Sequence, residues 1–192
     1  QADILSALVA AEEAGDRLTK DELFGTCSLL LVAGHETTVN LISNGTLAML
    51  RHPDEWRRLR EEPGIAANAV EELLRYDSPV QLTSRAALHD VAYKGHVFPQ
   101  GAFVAFLLGA ANRDPAQFAD PWRLDLGRAN VRHLAFGGGI HYCLGAPLAR
   151  LEGEIAFATL ARRLPNLALA GPEPTYRDNM TLRGLERLEV RL

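Results

Sequence analysis

Cys143 is the residue whose type and setting most clearly invite chemistry. It lies in Phe-Gly-Gly-Gly-Ile-His-Tyr-Cys-Leu-Gly, residues 136–145. The glycines at 137, 138, 139 and 145 allow positive φ or a close approach of the backbone to another group. A helix is expected to begin just after Cys143, and the dipole and free N–H groups at a helix start stabilise a thiolate. A thiolate suits a soft iron, and on a haem iron it pushes electron density toward O–O cleavage. Two other glycine-loop readings fail on residue type: Tyr142 stands where a dinucleotide loop needs its third glycine, and the Gly-Lys-Ser/Thr of a phosphate loop is absent. Zinc held by His133, His141 and Cys143, or a purely structural glycine turn, are the alternatives left by the residues alone.

A second set is Ala33-Gly34-His35-Glu36-Thr37-Thr38, which places a glycine and polar side chains inside an apolar helical pattern. Glycine costs about 1 kcal/mol relative to alanine in a helix interior, so the pattern is locally unfavourable. Breaks of this kind often mark function. A widened turn at Gly34 would hold water or dioxygen, and Glu36 beside Thr37 would relay protons. The bland reading is a threonine hydroxyl bonding back to the preceding turn. A third set, Glu72 and Arg75, puts an acid and a base three apart on one helix face, where an ordinary surface pair is the usual meaning.

These residues need elements to position them. Residues 2–13 read as a helix, with a break at Ala14-Gly15-Asp16 and Gly15 as its cap. Thr19 and Glu22 form a capping box for a helix that finds no strong stop before His52-Pro53. Cys27 lies in its apolar part and reads as a small buried hydrophobe. Helices are expected at 54–62 and 65–76. A short hairpin turning at Lys94-Gly95 follows, then an apolar run at 102–108 that suits a strand or a helix start. Residues 112–140 carry little periodicity. A last helix spans about 144–164 with Pro147 in its first turn, and short strands are expected at 167–170 and 185–191.

The loop at 136–145 fits Phe-Gly-x-Gly-x-His-x-Cys-x-Gly at every fixed position, and with it the sequence resembles the cytochrome P450 family. The other sets follow in that family's order. Residues 33–38 resemble its oxygen-activation motif, Glu72-Leu-Leu-Arg75 its Glu-x-x-Arg, and 121–124 its Pro-x-Arg-Phe with Leu124 for Phe. The resemblance implies a mainly α fold with small β-sheets, of which residues 1–192 are the C-terminal haem-binding part without the N-terminal half. It implies haem b as cofactor, with Cys143 as the iron ligand, His141 and Arg85 on propionates, and Phe136, Gly137 and Gly145 shaping the thiolate side. Glu36 becomes the acid and Thr37 the alcohol, with Gly34 opening the groove. Glu72, Arg75 and Arg123 become a buried structural network. His133 is read either as a propionate contact or as a surface histidine.

The implied activity is insertion of one oxygen atom from O2 into a small organic substrate, with electrons from a ferredoxin-type or flavin redox partner docking near Arg128 and Arg132. The rival readings are a haem-free relative acting as an interaction partner, and a haem-thiolate peroxygenase or isomerase without a redox partner. The formal net charge of -4 carries no basic footprint for nucleic acid. The strongest apolar run, residues 29–33, falls far short of the roughly 20 residues of a membrane span. With no signal-peptide pattern and two cysteines, the expectation is a cytoplasmic protein without a disulfide framework. A half-length chain is also expected to expose apolar surface and self-associate.

Overall fold

The Thr19–Glu22 pairing closes as the sequence predicts. The Thr19 N–H donates to Glu22 Oε2 at 2.8 Å, and the Glu22 N–H donates to Thr19 Oγ1 at 3.3 Å. This box starts α2, Lys20–Arg51, a helix of 32 residues. A computed structural model describes residues 3–13 and 18–192, with the side chains of residues 12 and 13 left aside. The expected break at 14–16, its Gly15 cap and the helix start at Ala2 lie outside the described residues. The preceding helix, α1, spans Ile4–Glu13, and Asp3 caps it by accepting from the Ser6 N–H at 2.8 Å.

The interruption expected in α2 is absent, for the helix stays α-helical through Gly34. One glycine costs about 1 kcal/mol, too little to break a helix held by many consecutive backbone bonds. Two compact units divide the chain, Gln1–Thr37 and Thr38–Leu192, so α2 contributes to both. In the first unit Phe24, Leu29, Leu31 and Val32 are exposed and Cys27 is only half-buried, not buried as the apolar pattern suggested.

The second unit holds the core. Pro53 starts α3, Pro53–Glu61, and a 3₁₀ turn at Pro63–Ile65 leads into α4, Ala66–Tyr76. Proline suits both starts, where its missing N–H is no loss. The strongly amphipathic α4 buries Ala69, Val70, Leu73 and Leu74. It packs on α6, Ala146–Arg163, which also meets α3. Gly45 of α2 lets Phe157 of α6 come close: a Cβ on Gly45 would lie 2.5 Å from the ring.

Three small sheets complete the mainly α fold. Strand β1, Leu82–Ala86, pairs antiparallel with β4, Phe103–Leu107, in the register Leu82 with Leu107. Strands β2, Val91–Tyr93, and β3, His96–Phe98, form the expected hairpin; Lys94 and Gly95 both have positive φ, as a two-residue turn matching the strand twist requires. Strands β5, Ala168–Leu169, and β6, Val190–Arg191, pair last. The run at 102–108 proves to be both of its options, since β4 leads directly into the short helix α5, Leu108–Ala111. Between α5 and α6 the chain is irregular except for a 3₁₀ turn at Gly139–His141. Among the described residues no helix is long and apolar enough to cross a membrane.

Candidate functional site

The cysteine loop is a closed turn set against the start of α6. Gly137 and Gly139 adopt φ of 71° and 63°, conformations that a side chain would strain. The Phe136 carbonyl accepts the Cys143 N–H at 3.0 Å, which ties the two ends of the loop together. The Cys143 carbonyl accepts the Ala146 N–H at 3.3 Å, joining the loop to the helix start. Cys143 is exposed, as are His141, Ile140 and Leu144 beside it. A Cβ at Gly138 or Gly139 would meet nothing within 4 Å, so the outer face of the loop is clear.

Behind this face stands a polar cluster that the sequence did not announce. Arg150 of α6 donates from Nε and Nη2 to the two oxygens of Glu71 in α4, at 2.6 and 3.1 Å. Its Nη1 donates to the Tyr142 hydroxyl at 3.0 Å, and its guanidinium lies 4.6 Å from the centre of the Phe136 ring. His133 is neither a surface residue nor poised outward: its side chain is 2% exposed, its Nδ1 accepts the Ala135 N–H, and Nε2 faces Glu71 at 3.2 Å. That network assigns the proton to Nε2 and occupies both ring nitrogens, which removes His133 from the zinc set. Burial pushes the Glu71 carboxyl up, but the hydrogen bonds from His133 and Arg150, with the Arg150 charge, outweigh it and hold it at about 2. The bonds to Glu71 in turn hold Arg150 more firmly protonated, against its partial burial. Two signals pointed here: adjacent acids on an amphipathic helix, and a lone cation in the apolar start of α6.

Glu72 and Arg75 are fully buried and joined twice, Arg75 Nε to Oε2 at 2.7 Å and Nη2 to Oε1 at 2.8 Å. The third side chain is Arg128, whose Nε donates to both Glu72 oxygens at 3.2 and 3.1 Å. Arg123 does not play that part. Its side chain is 66% exposed and lies 3.7 Å from Asp125, and only its carbonyl enters the network, accepting from Arg75 and Arg128. The buried neighbours Leu124 and Leu126 turn residue 123 outward. Arg128, largely buried in this role, leaves the expected docking face to Arg132, which is exposed.

Arg85 sits on β1 and donates to Thr83 Oγ1 at 3.1 Å and to the Ser84 carbonyl at 2.7 Å. In α2 the Thr37 hydroxyl donates to the Ala33 carbonyl at 2.7 Å, the back-bonded arrangement common in helices. A Cβ on Gly34 would meet nothing within 4 Å.

Comparison with known proteins agrees with this architecture. A family model, Cytochrome P450, matches residues 1–66 and 65–182. The chain is 51% identical to the polyketide biosynthesis cytochrome P450 PksS of Bacillus subtilis, covering 99% of this chain and 48% of that protein. Among solved structures, P450BioI in complex with a hexadec-9Z-enoic acid ligated acyl carrier protein superposes with a TM-score of 0.93 at 50% identity, covering 99% of this chain and 48% of the other. Ligand-free CYP164A2 of Mycobacterium smegmatis gives 0.95 at 52% identity, covering 100% and 49%. The chain belongs to the cytochrome P450 family, and it spans about half the length of the curated relatives it matches.

Proposed function

We propose that this chain is the haem-thiolate part of a cytoplasmic monooxygenase that inserts one oxygen atom from O2 into a small organic substrate. The exposed Cys143 at the helix start, in a loop closed behind and clear in front, carries the reading. The residues fit haem b. Cys143 offers the soft anionic donor, the glycines leave room for a flat ring, and Ile140 and Leu144 present apolar surface beside the thiol. Among the described residues Arg85 donates only to a hydroxyl and a carbonyl, which leaves its charge to meet a carboxylate such as a propionate. His141, exposed on the 3₁₀ turn, is the second propionate donor. Bound there, haem supplies reductive activation of dioxygen.

The chain's own residues hold and move protons. Glu36 is the acid, and Thr37, with its proton on the Ala33 carbonyl, keeps its lone pairs to accept another. Gly34 carries no side chain that would crowd a small ligand. Glu72, Arg75 and Arg128 keep the segment before the loop in place. Electrons come from a separate ferredoxin-type or flavin partner, with Arg132 on its docking face. PikC of Streptomyces venezuelae, 49% identical, is named as a monooxygenase, which supports the reaction class; the acyl carrier protein bound to P450BioI supports an organic substrate.

An absorbance spectrum of the haem-supplemented chain, reduced and exposed to carbon monoxide, tests this. The expected result is a strongly red-shifted Soret band that Cys143→Ala abolishes. A band that persists in Cys143→Ala, or haem bound without that band, would overturn the assignment of Cys143.

A further inference from the structure

We infer that Arg150 is the positioning residue of the Cys143 loop, holding from one guanidinium the two residues that set the backbone of the cysteine. Those residues are Tyr142, directly before it, and Phe136, whose carbonyl accepts its N–H at 3.0 Å. Arg150 reaches the Tyr142 hydroxyl at 3.0 Å and covers the Phe136 ring at 4.6 Å. The plane of the guanidinium is fixed from the far side, because Glu71 takes two parallel bonds from it at 2.6 and 3.1 Å. His133, 2% exposed, then steadies Glu71 at 3.2 Å. So α4 and α6, already packed together, grip both ends of the loop through one side chain.

An ordinary surface ion pair would not do this. Exposed pairs hold two long side chains loosely and contribute little. Here three guanidinium nitrogens and one face are engaged at once, a geometry that a lysine's compact ammonium cannot reproduce. The loop is thereby shaped before any ligand arrives. Given the reading of Cys143 as the iron ligand, on which this consequence rests, the clamp fixes the direction in which the thiolate points.

The test uses the full chain with Arg150→Lys, Tyr142→Phe and the two combined. Amide hydrogen exchange at Cys143, followed by NMR without haem, is the first readout. Arg150→Lys should speed it about fivefold, the worth of one net hydrogen bond. The Phe157 amide, deep in α6, should keep its protection. Tyr142→Phe, which removes only a hydroxyl from a half-exposed ring, should act in the same direction. The double variant should go no further than Arg150→Lys, since Tyr142 acts through Arg150. An Arg150 that merely stabilised the fold would speed Phe157 alike and leave Tyr142→Phe without effect. Unchanged Cys143 exchange in both single variants overturns the clamp, whether or not haem binds. If Arg150→Lys fails to fold, Tyr142→Phe decides alone. In the haem-loaded, carbon monoxide-treated chain, Arg150→Lys should lower the share of the red-shifted Soret band. An undiminished band overturns the link to the thiolate. A parent chain that lacks the band refutes the haem-thiolate reading separately and leaves the exchange data standing.

Discussion

Glu71 carries a charge whose protonation reaches the fold directly. An ordinary glutamate titrates at about 4.3, and this one is held at about 2 by His133 and Arg150 against its burial. The native state therefore binds fewer protons than the unfolded chain between those values. The stability from this pairing is complete above about pH 4.3 and is lost as pH falls toward 2. Glu71→Gln should flatten the slope of unfolding free energy against pH across that window, measured by urea denaturation. An unaltered slope would show that the carboxyl is not so perturbed. The cysteine loop was legible as a distinct signature in the sequence because its residues are local, with glycines, His141 and Cys143 side by side. The third side chain on Glu72 was not. Arg123 and Arg128 are both arginines in an aperiodic stretch, and the choice between them depends on the path of the chain. The alternation Leu124, Asp125, Leu126 held a clue, since burying both leucines turns residues 123 and 125 the other way.

Among the elements, α2 and α6 meet closely where Gly45 faces the Phe157 ring. A Cβ on Gly45 would meet the Phe157 ring at 2.5 Å and Leu73 at 3.2 Å. Phe157 is fully buried, so its ring has nowhere to retreat. Alanine at a helical glycine gains about 1 kcal/mol in propensity, but overpacking a closed core costs about 1–3 kcal/mol. Gly45→Ala should therefore destabilise the fold, seen as a lower urea midpoint with an unchanged m-value; a raised midpoint would mean the ring yields easily. Helix positions were readable from caps and prolines, all of them local signals. The same local reasoning overrated Gly34, because a helix of 32 residues absorbs a single weak position. What periodicity did not reveal is why Gly45 is small, for the reason sits on a residue more than a hundred positions away.

At the scale of the whole molecule, α6 leaves an apolar stripe uncovered. Leu144 before it and Leu148, Leu151 and Ile155 along it recur at helical spacing and are all more than half exposed. Stripes of this kind favour association. The chain should form concentration-dependent oligomers in light scattering, and Leu148→Glu with Leu151→Glu should shift them toward monomer. A monomer at all concentrations would refute this. The helices could be read from local patterns, and the mainly α class with small sheets followed from the family resemblance that the ten-residue loop carries. The extent of bare surface could not, because a sequence shows which face of a helix is apolar but not whether anything lies against it.

The buried arginine network also bears on which substitutions the chain can absorb over evolutionary time. Arg75 donates to the carbonyls of Asn112, Pro121 and Arg123, and Arg128 to those of Ala119, Asp120 and Arg123. Every residue type has such a carbonyl, proline included, so the arginines recognise the course of the main chain and are indifferent to the side chains along it. The exposed positions between 119 and 123 are thus free to drift in sequence while the path is kept, whereas Pro121 is buried and held by its packing. Asp120 is constrained as well, for its φ of 46° favours glycine, asparagine and aspartate over other residues.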